Sequence, residues 1–473
     1  MEADSSPSVL NRLLATFGRI EADAARPGTV LSPDWTKGWL LMAFIWSASL
    51  ASTIVLATPP LWQYMGDVLV LFDGGWRVYN GQVPHADFYS CLGPVPTGVL
   101  GLGFFLTGGH SPGLGFALGL CGVAFSLLGF IAAQGRLSRF WGLAFSLFVL
   151  VLVTAPAALG MKDVNTDLVS FRYSNTYAMF YNRLGWAAIV VAQLCVLMPR
   201  RGPESGFIQS ESTDGFIAGL ACTLAIFTKI NFLAVGGLLI VIACLIPRPG
   251  GRTRFVTGMV VGLAATTLLL GIWPGGAWAY FQDTVTLLKV HRAESHLSSL
   301  FYKSAINAPW LLVLGVLTVS MLASARKIHG AAGRAGPASE IWGPARAAFI
   351  VMATGLFLTG FNFEGSAYPS LFLAGLFLIQ LSQAGQSNGQ AGSGDGSLRI
   401  VLIKSAVLAF LSVFLWFNAG SVAYGHLWKL KNRDWQNASG VLSGALTKSI
   451  PIPVRPTEKA DRQSQKDSIK AGK

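Results

Sequence analysis

Charge is what this sequence has least of. Of 473 residues, 35 are Lys or Arg and 22 are Asp or Glu, so only 12% are charged. An ordinary soluble domain carries about 25%, and two or three soluble domains could not be solvated with half of that. Hydrophobic residues make up 52% and the mean hydropathy is +0.53. Cysteine is scarce as well: the five form no Cys-x-x-Cys pair. Cys121, Cys195, Cys222 and Cys244 lie in apolar runs, where Cys acts as a small hydrophobe. Only Cys91 sits in a polar segment, so neither a disulfide framework nor a cysteine zinc site is indicated. The first 37 residues lack the apolar stretch of a cleaved signal peptide, so the first hydrophobic segment is expected to stay as a membrane anchor. No condensed basic region with interleaved aromatics accompanies the net charge of +13, which argues against nucleic acid as a partner. The expected solvent for most of the chain is the lipid bilayer.

Apolar stretches fall at 39–58, 95–107, 113–134, 141–160, 184–198, 215–229, 231–247, 255–273, 308–324, 345–360, 368–383 and 399–419. A crossing helix needs about 20 residues, so several of these are short. None shows the alternation of a membrane β-barrel, and the 54 glycines suit closely packed membrane helices. The fold class expected is all-α: a polytopic transmembrane helical bundle of about 11–12 apolar segments. It comprises a cytoplasmic segment 1–38, a membrane domain 39–419 with an ordered first outer loop 59–94, and a polar, basic, largely disordered tail 420–473. That tail holds ten Lys/Arg against four acids between 426 and 473. Lys and Arg collect on cytoplasmic loops, which puts Arg136/Arg139, Arg200/Arg201, Arg248/Arg252/Arg254 and Arg326/Lys327/Arg334 inside. The segments 161–183, 274–306 and 361–369 and the Lys229–Asn231 turn are then outside. Counting 95–107 as a full crossing would invert this pattern, so its parity stays open.

Loop 59–94 is too rich in Gly and Pro to cross, yet it is full of aromatics. Asp67 precedes an amphipathic run, VLVLFDGGWRVY, suited to lying along the interface. A Gly81-Gln82-Val83-Pro84 turn, the run His85-Ala86-Asp87-Phe88-Tyr89 and the pair Gly93-Pro94 follow. Two carboxylates, Asp67 and Asp87, could then stand over the outer mouth of the bundle, one as general base and the other orienting a substrate or a metal. Asp67, then Gly-x-x-Pro-x-x-Asp-Phe beginning at Gly81, then Gly93-Pro94 and an apolar helix resembles the first outer loop of GT-C glycosyltransferases. It is similar to the group of bacterial protein O-mannosyltransferases, aminoarabinose transferases and rhizobial lipopolysaccharide galacturonosyltransferases. The resemblance implies a GT-C-like membrane enzyme that takes a sugar from a polyprenyl-phosphate donor on the non-cytoplasmic side, with Asp67 as the essential first-loop carboxylate and general base. Many members carry a second acid directly after the first; here Val68 follows.

Three further segments carry candidates. In 161–183, Arg172 and Arg183 could clamp the donor phosphate, while Tyr173, Tyr177 and Tyr181 could pack on sugar rings. Lys229 interrupts the apolar run LAIFTKINFLAVGG, and an ionisable group there is costly enough to suggest function. In the resembling families a Lys at this kind of helix junction faces the donor phosphate. In 274–306, His291 and Arg292 are further candidates for the lipid phosphate. His85 and Glu364 join the tyrosines as sugar or acceptor contacts. His291 and His296 stand five apart rather than i, i+4, so no metal ligand set is assigned, although a divalent metal stays open as a cofactor.

The reading is a glycosyltransferase of the bacterial inner membrane with its site facing the periplasm. Its partners are the bilayer, a polyprenyl-phosphate-linked sugar and a glycan or glycolipid acceptor. The alternatives are a transporter or flippase for a lipid-linked solute, and a polysaccharide polymerase or ligase using lipid-diphosphate donors.

Overall fold

The computed structural model describes residues 33–55, 65–110, 112–158, 180–198, 200, 210–245, 248, 251–270, 274–290, 308–331, 350–355, 368–387, 394–415, 440–444 and 447–452. They are overwhelmingly helical. The helices are α1 (Pro33–Val55), α2 (Met65–Tyr79), α3 (Pro94–Leu106), α4 (Pro112–Ala133), α5 (Arg139–Ala158), α6 (Phe180–Leu197) and α7 (Glu211–Ile226). They continue as α8 (Asn231–Leu245), α9 (Arg252–Leu269), α10 (Pro274–Val290), α11 (Ala308–Ala331), α12 (Tyr368–Ser387) and α13 (Gly394–Leu415). Helix covers at least part of every apolar stretch read from the sequence. By length and composition, two helical spans could cross a membrane alone, Gly115–Ala133 and Phe180–Leu197. α6 is apolar around nearly its whole circumference and is buried on all sides, which makes it the centre of the bundle.

The all-α expectation holds, with one short hairpin beside the helices. Within the tail, β1 (Gly440–Gly444) pairs antiparallel with β2 (Thr447–Ile452), Val441 facing Pro451 and Leu442 facing Ile450. The local cause is a short GVLSGALTKSIPI segment whose apolar and β-branched residues suit strands. The tail is basic on average, and that average hides this stretch. Two helices also stand where the sequence suggested loops: α2, within the first loop, and α10, within 274–306.

Packing fixes helix directions. Trp35 meets Phe130, Trp46 donates from its indole N–H to Ser126 Oγ at 2.8 Å, and Thr53 faces Gly119, so α1 runs antiparallel to α4. Ser126 pairs with Ser146 and Gly122 lies against Thr154, so α5 turns back along α4. α7 and α9 run parallel and unusually close. A Cβ on Gly215 or Gly219 would overlap the backbone of Phe255 or Met259, and one on Gly258 or Gly262 that of Ser212 or Phe216. These reciprocal small-xxx-small stripes let two backbones touch, the usual device where helices pack without a hydrophobic driving force.

The directions also settle the parity of 95–107. α4 ends beside Arg136, while its start lies against α3, where Gly103 and Gly113 approach backbone to backbone. α3 begins at the opposite end of the bundle from Arg136, on the α7 C-terminus, through the Val95 N–H bond to Phe227 O at 3.0 Å. It therefore starts and finishes on the side from which α4 departs, and does not traverse the bundle. The arginine-bearing turns then share one end and the Lys229 turn occupies the other. Asp214 and Lys229 are separated along α7 by about 22 Å.

Candidate functional site

α7 creates the site by where it stops. A helix leaves its last carbonyls without intrahelical partners, and here residues far away in sequence supply the donors. Tyr280 of α10 donates from its hydroxyl to Ile226 O at 3.1 Å. Val95 N–H donates to Phe227 O at 3.0 Å, and Gly93 N–H to Thr228 O at 3.1 Å. Residue 93 must be glycine for this fit, because a Cβ there would overlap Phe227 O. The first loop is thereby fastened to the Phe227–Lys229 turn.

On that turn, Lys229 points its Nζ toward Asn182 Oδ1 at 3.4 Å and lies over the Tyr181 ring at 5.4 Å from its centroid. Tyr181, Asn182 and Arg183 are consecutive in the first turn of α6. Asn182 and Arg183 are buried, and Arg183 donates to Leu152 O at 3.0 Å. A cation, an amide and an aromatic face therefore meet where the first turn of α6 adjoins the end of α7, while Arg183, next in the chain, is bonded to α5. A helix N-terminus also favours anions.

The loop between α2 and α3 is stiff. Asp87, itself exposed, closes it by accepting Val83 N–H at 2.7 Å, and His85 N–H donates to Phe88 O at 2.8 Å. Phe88 lies beneath the Arg77 guanidinium at 5.4 Å. His85 has φ +65°, a left-handed conformation uncommon outside glycine. Its ring packs on Tyr280 with centroids 5.0 Å apart. Its Nδ1 lies 2.8 Å from Asp283 Oδ2, and its side chain is only 1% exposed. Nε2 is buried and meets no partner among the described residues. Tyr89 completes the group; partial burial, then Cys91 and the Asp283 carboxylate, push its phenol above the ordinary value.

Of the residues selected from sequence, Lys229 and Tyr181 thus come together, Arg183 is turned to Leu152 O of α5, and His85 and Asp87 share the loop fastened to the Lys229 turn. Asp87 serves as a turn-closing acceptor in this conformation. Asp67 is the third residue of α2, a position where an acid favours the helix N-terminus. It stands about 18 Å along the helix axis from Tyr79, at the end away from His85; its side chain lies outside the described residues. Arg172, Tyr173, Tyr177, His291, Arg292 and Glu364 lie outside the described residues altogether. Among those that are described, no group of three or more His, Cys, Asp or Glu side chains is arranged to hold a metal. Sequence reading missed Tyr280, Asp283 and the closing role of Gly93. Tyr280 and Asp283 stand i, i+3, so one helical face carries both; treating 274–306 as a loop concealed that signal.

The opposite end of the bundle is also charged, but its charges are consumed internally. Asp214 takes Arg136 on both oxygens and Arg200 at 2.6 and 2.8 Å. Arg248 pairs with Glu211 at 3.1 Å and stacks on Phe255. The three arginines also cap helix C-termini: Arg136 reaches Ala132 O and Met198 O, Arg200 reaches Gln134 O, and Arg248 reaches Cys195 O and Val196 O. Buried donors and acceptors satisfied in this way hold α4, α6 and α7 in register. Comparison with protein-family models, curated proteins and solved structures finds no match to this chain.

Proposed function

We infer that the protein is a polytopic membrane glycosyltransferase that takes a sugar from a polyprenyl-phosphate donor at the Lys229 end of the bundle. The observation carrying this reading is the fastening of the first loop, through Gly93 and Val95, onto the turn that holds Lys229 beside Asn182 and Tyr181. A fixed cation beside a helix N-terminus is suited to a phosphate leaving group. As the bond from anomeric carbon to phosphate oxygen breaks, negative charge grows on that oxygen, and pre-positioned donors stabilise it without reorganising. The Tyr181 face and the exposed Tyr89 offer surfaces for sugar rings. The acceptor is a glycan or glycolipid hydroxyl.

The membrane setting rests on two features. The Arg136, Arg200 and Arg248 turns gather at one end, as the positive-inside bias demands. The exposed faces of α1, α9 and α11 are apolar: Phe44, Leu268, Leu269, Leu312 and Val319 are all well exposed. In this reading Lys229 and the first loop face the periplasm of a bacterial inner membrane. The test is transfer from radiolabelled polyprenyl-phosphate sugars to membrane glycolipids in proteoliposomes. Transfer that is lost in Lys229→Met and retained in part in Lys229→Arg is expected. Purified, folded protein that moves no sugar from any such donor, yet carries the intact donor across the vesicle membrane, would replace this reading with a flippase.

A further inference from the structure

We propose that His85, held by Asp283, is the group that accepts the proton of the acceptor hydroxyl; this rests on the transferase reading and deepens it. His85 is in a strained left-handed conformation that its surroundings must enforce, and strain of this kind collects at functional sites. Everything around it fixes the ring. The Pro84–Phe88 bridge and the Asp87 turn shape the backbone, Tyr280 supports one face, and Asp283 takes Nδ1. With Nδ1–H donated to that carboxylate, Nε2 carries the lone pair and is the basic nitrogen. It is buried, and among the described residues no group competes for it. An unpaired buried acceptor costs free energy, and a substrate hydroxyl would remove that cost.

The position is also favourable. Tyr280 touches both parts of the site, packing on His85 while its hydroxyl caps the α7 C-terminus three residues before Lys229. Proton acceptor and leaving-group cation are thus tied to one scaffold.

In the step itself the acceptor O–H proton passes to Nε2 as the acceptor oxygen bonds to the anomeric carbon. The bond from that carbon to the donor phosphate oxygen breaks, and its electron pair remains on polyprenyl phosphate beside Lys229. The imidazolium charge is balanced by Asp283, and the proton leaves to water with the products. Asp283 is a positioning residue, acting through His85.

His85→Asn is the chosen variant because asparagine tolerates the left-handed conformation, so the loop is retained without an imidazole. Steady-state transfer is measured in proteoliposomes with a polyprenyl-phosphate sugar on which the unaltered protein is active, from pH 5 to 9. A general base works only in its unprotonated form, so the unaltered protein should lose kcat/KM toward the acid end of this range. His85→Asn should lose about a hundredfold or more in kcat, the scale of general base catalysis, with donor KM little changed and no acidic limb ascribable to this ring. Asp283→Asn should lower kcat at least tenfold with a shifted limb, and Asp283→Glu should recover part of it. Tryptophan-fluorescence melting confirms that each variant is folded. Folded His85→Asn with kcat within twofold of the unaltered protein and the same pH profile overturns the assignment while leaving the transferase reading in place. If it is Asp67→Asn instead that abolishes kcat and the acidic limb together, Asp67 is the proton acceptor and the assignment is likewise overturned. An unaltered protein that transfers no sugar from any donor overturns both readings together.

Discussion

Replacing Asp214 by asparagine tests the best-defined electrostatic feature of the bundle. The side chain is fully buried, and its two oxygens accept from Arg136 and Arg200, whose side chains are 0% and 8% exposed. Asparagine keeps the volume but removes the charge and turns an NH2 group toward a guanidinium. Two buried cations then lose the carboxylate that both of them grip. Removing one partner of a buried pair costs about 3–5 kcal/mol, because the remaining charge stays desolvated. Against a total stability of about 5–15 kcal/mol, this should lower the apparent melting temperature in detergent by on the order of 5–10 °C. Fluorescence of the 14 tryptophans reports it directly. The sign of the pH dependence is fixed too. Burial alone would raise the Asp214 pKa, but Arg136 and Arg200 outweigh it and hold the carboxyl below its ordinary 3.8. A folded value below the unfolded one means stabilisation that is complete above about pH 4 and fades as pH falls further. The melting difference between the unaltered protein and Asp214→Asn should therefore stay constant from pH 8 to 5 and narrow only below about 4. The triple change Asp214→Leu, Arg136→Met, Arg200→Met should recover much of the loss, since apolar replacement of a whole buried ion cluster is often neutral. A melting point within 1 °C of the unaltered protein for Asp214→Asn, by the same scale of about 2–4 °C per kcal/mol, would refute the argument.

Other expectations follow from contacts already described. Gly93→Ala should unfasten the first loop, costing about 1–3 kcal/mol and opening residues 80–92 to proteolysis; unchanged protease resistance would argue against the docking. Gly219→Leu should destabilise the α7–α9 pair severely, whereas Gly237→Ala, where a Cβ meets nothing within 4 Å, should leave melting unchanged. Cys91 is exposed on the first loop, so a membrane-impermeant maleimide should label it in spheroplasts, with the label lost in Cys91→Ser. Failure to label it until the membrane is opened would reverse the orientation. Lys229→Met, beside losing transfer, should bind the polyprenyl-phosphate donor tenfold or more weakly, the loss of about 1.4 kcal/mol of phosphate interaction, and inorganic phosphate should displace donor from the unaltered protein more readily than from the variant.

The positions of the helices were legible because a bundle core shows itself in composition: each apolar stretch had to be buried or face lipid, and each proved helical. Even the grouping of Arg136, Arg200 and Arg248 at one end could be read, since charges that cannot enter the apolar layer must collect at its edges. Lys229 was legible for the same reason, as a cation interrupting an apolar run. The partners of these groups were not. Asp214 and Glu211 lie in the first turn of α7 and looked like ordinary helix-start acids; only packing shows them neutralising arginines from other turns. Asp283 sits in a helix that read as a loop, 198 residues from the His85 it meets. The course of 95–107 stayed open in the sequence, because helix length alone does not say where a helix begins. Gly93 seated on Phe227 O decides that. The sequence by itself determined which segments are helical, which end of the bundle is rich in arginine and which lysine is anomalous, all through the local cost of placing polar groups among apolar ones. The tertiary structure alone decided which polar groups meet, because the orphan carbonyls of α7 can be capped only by chain that folding brings back from elsewhere.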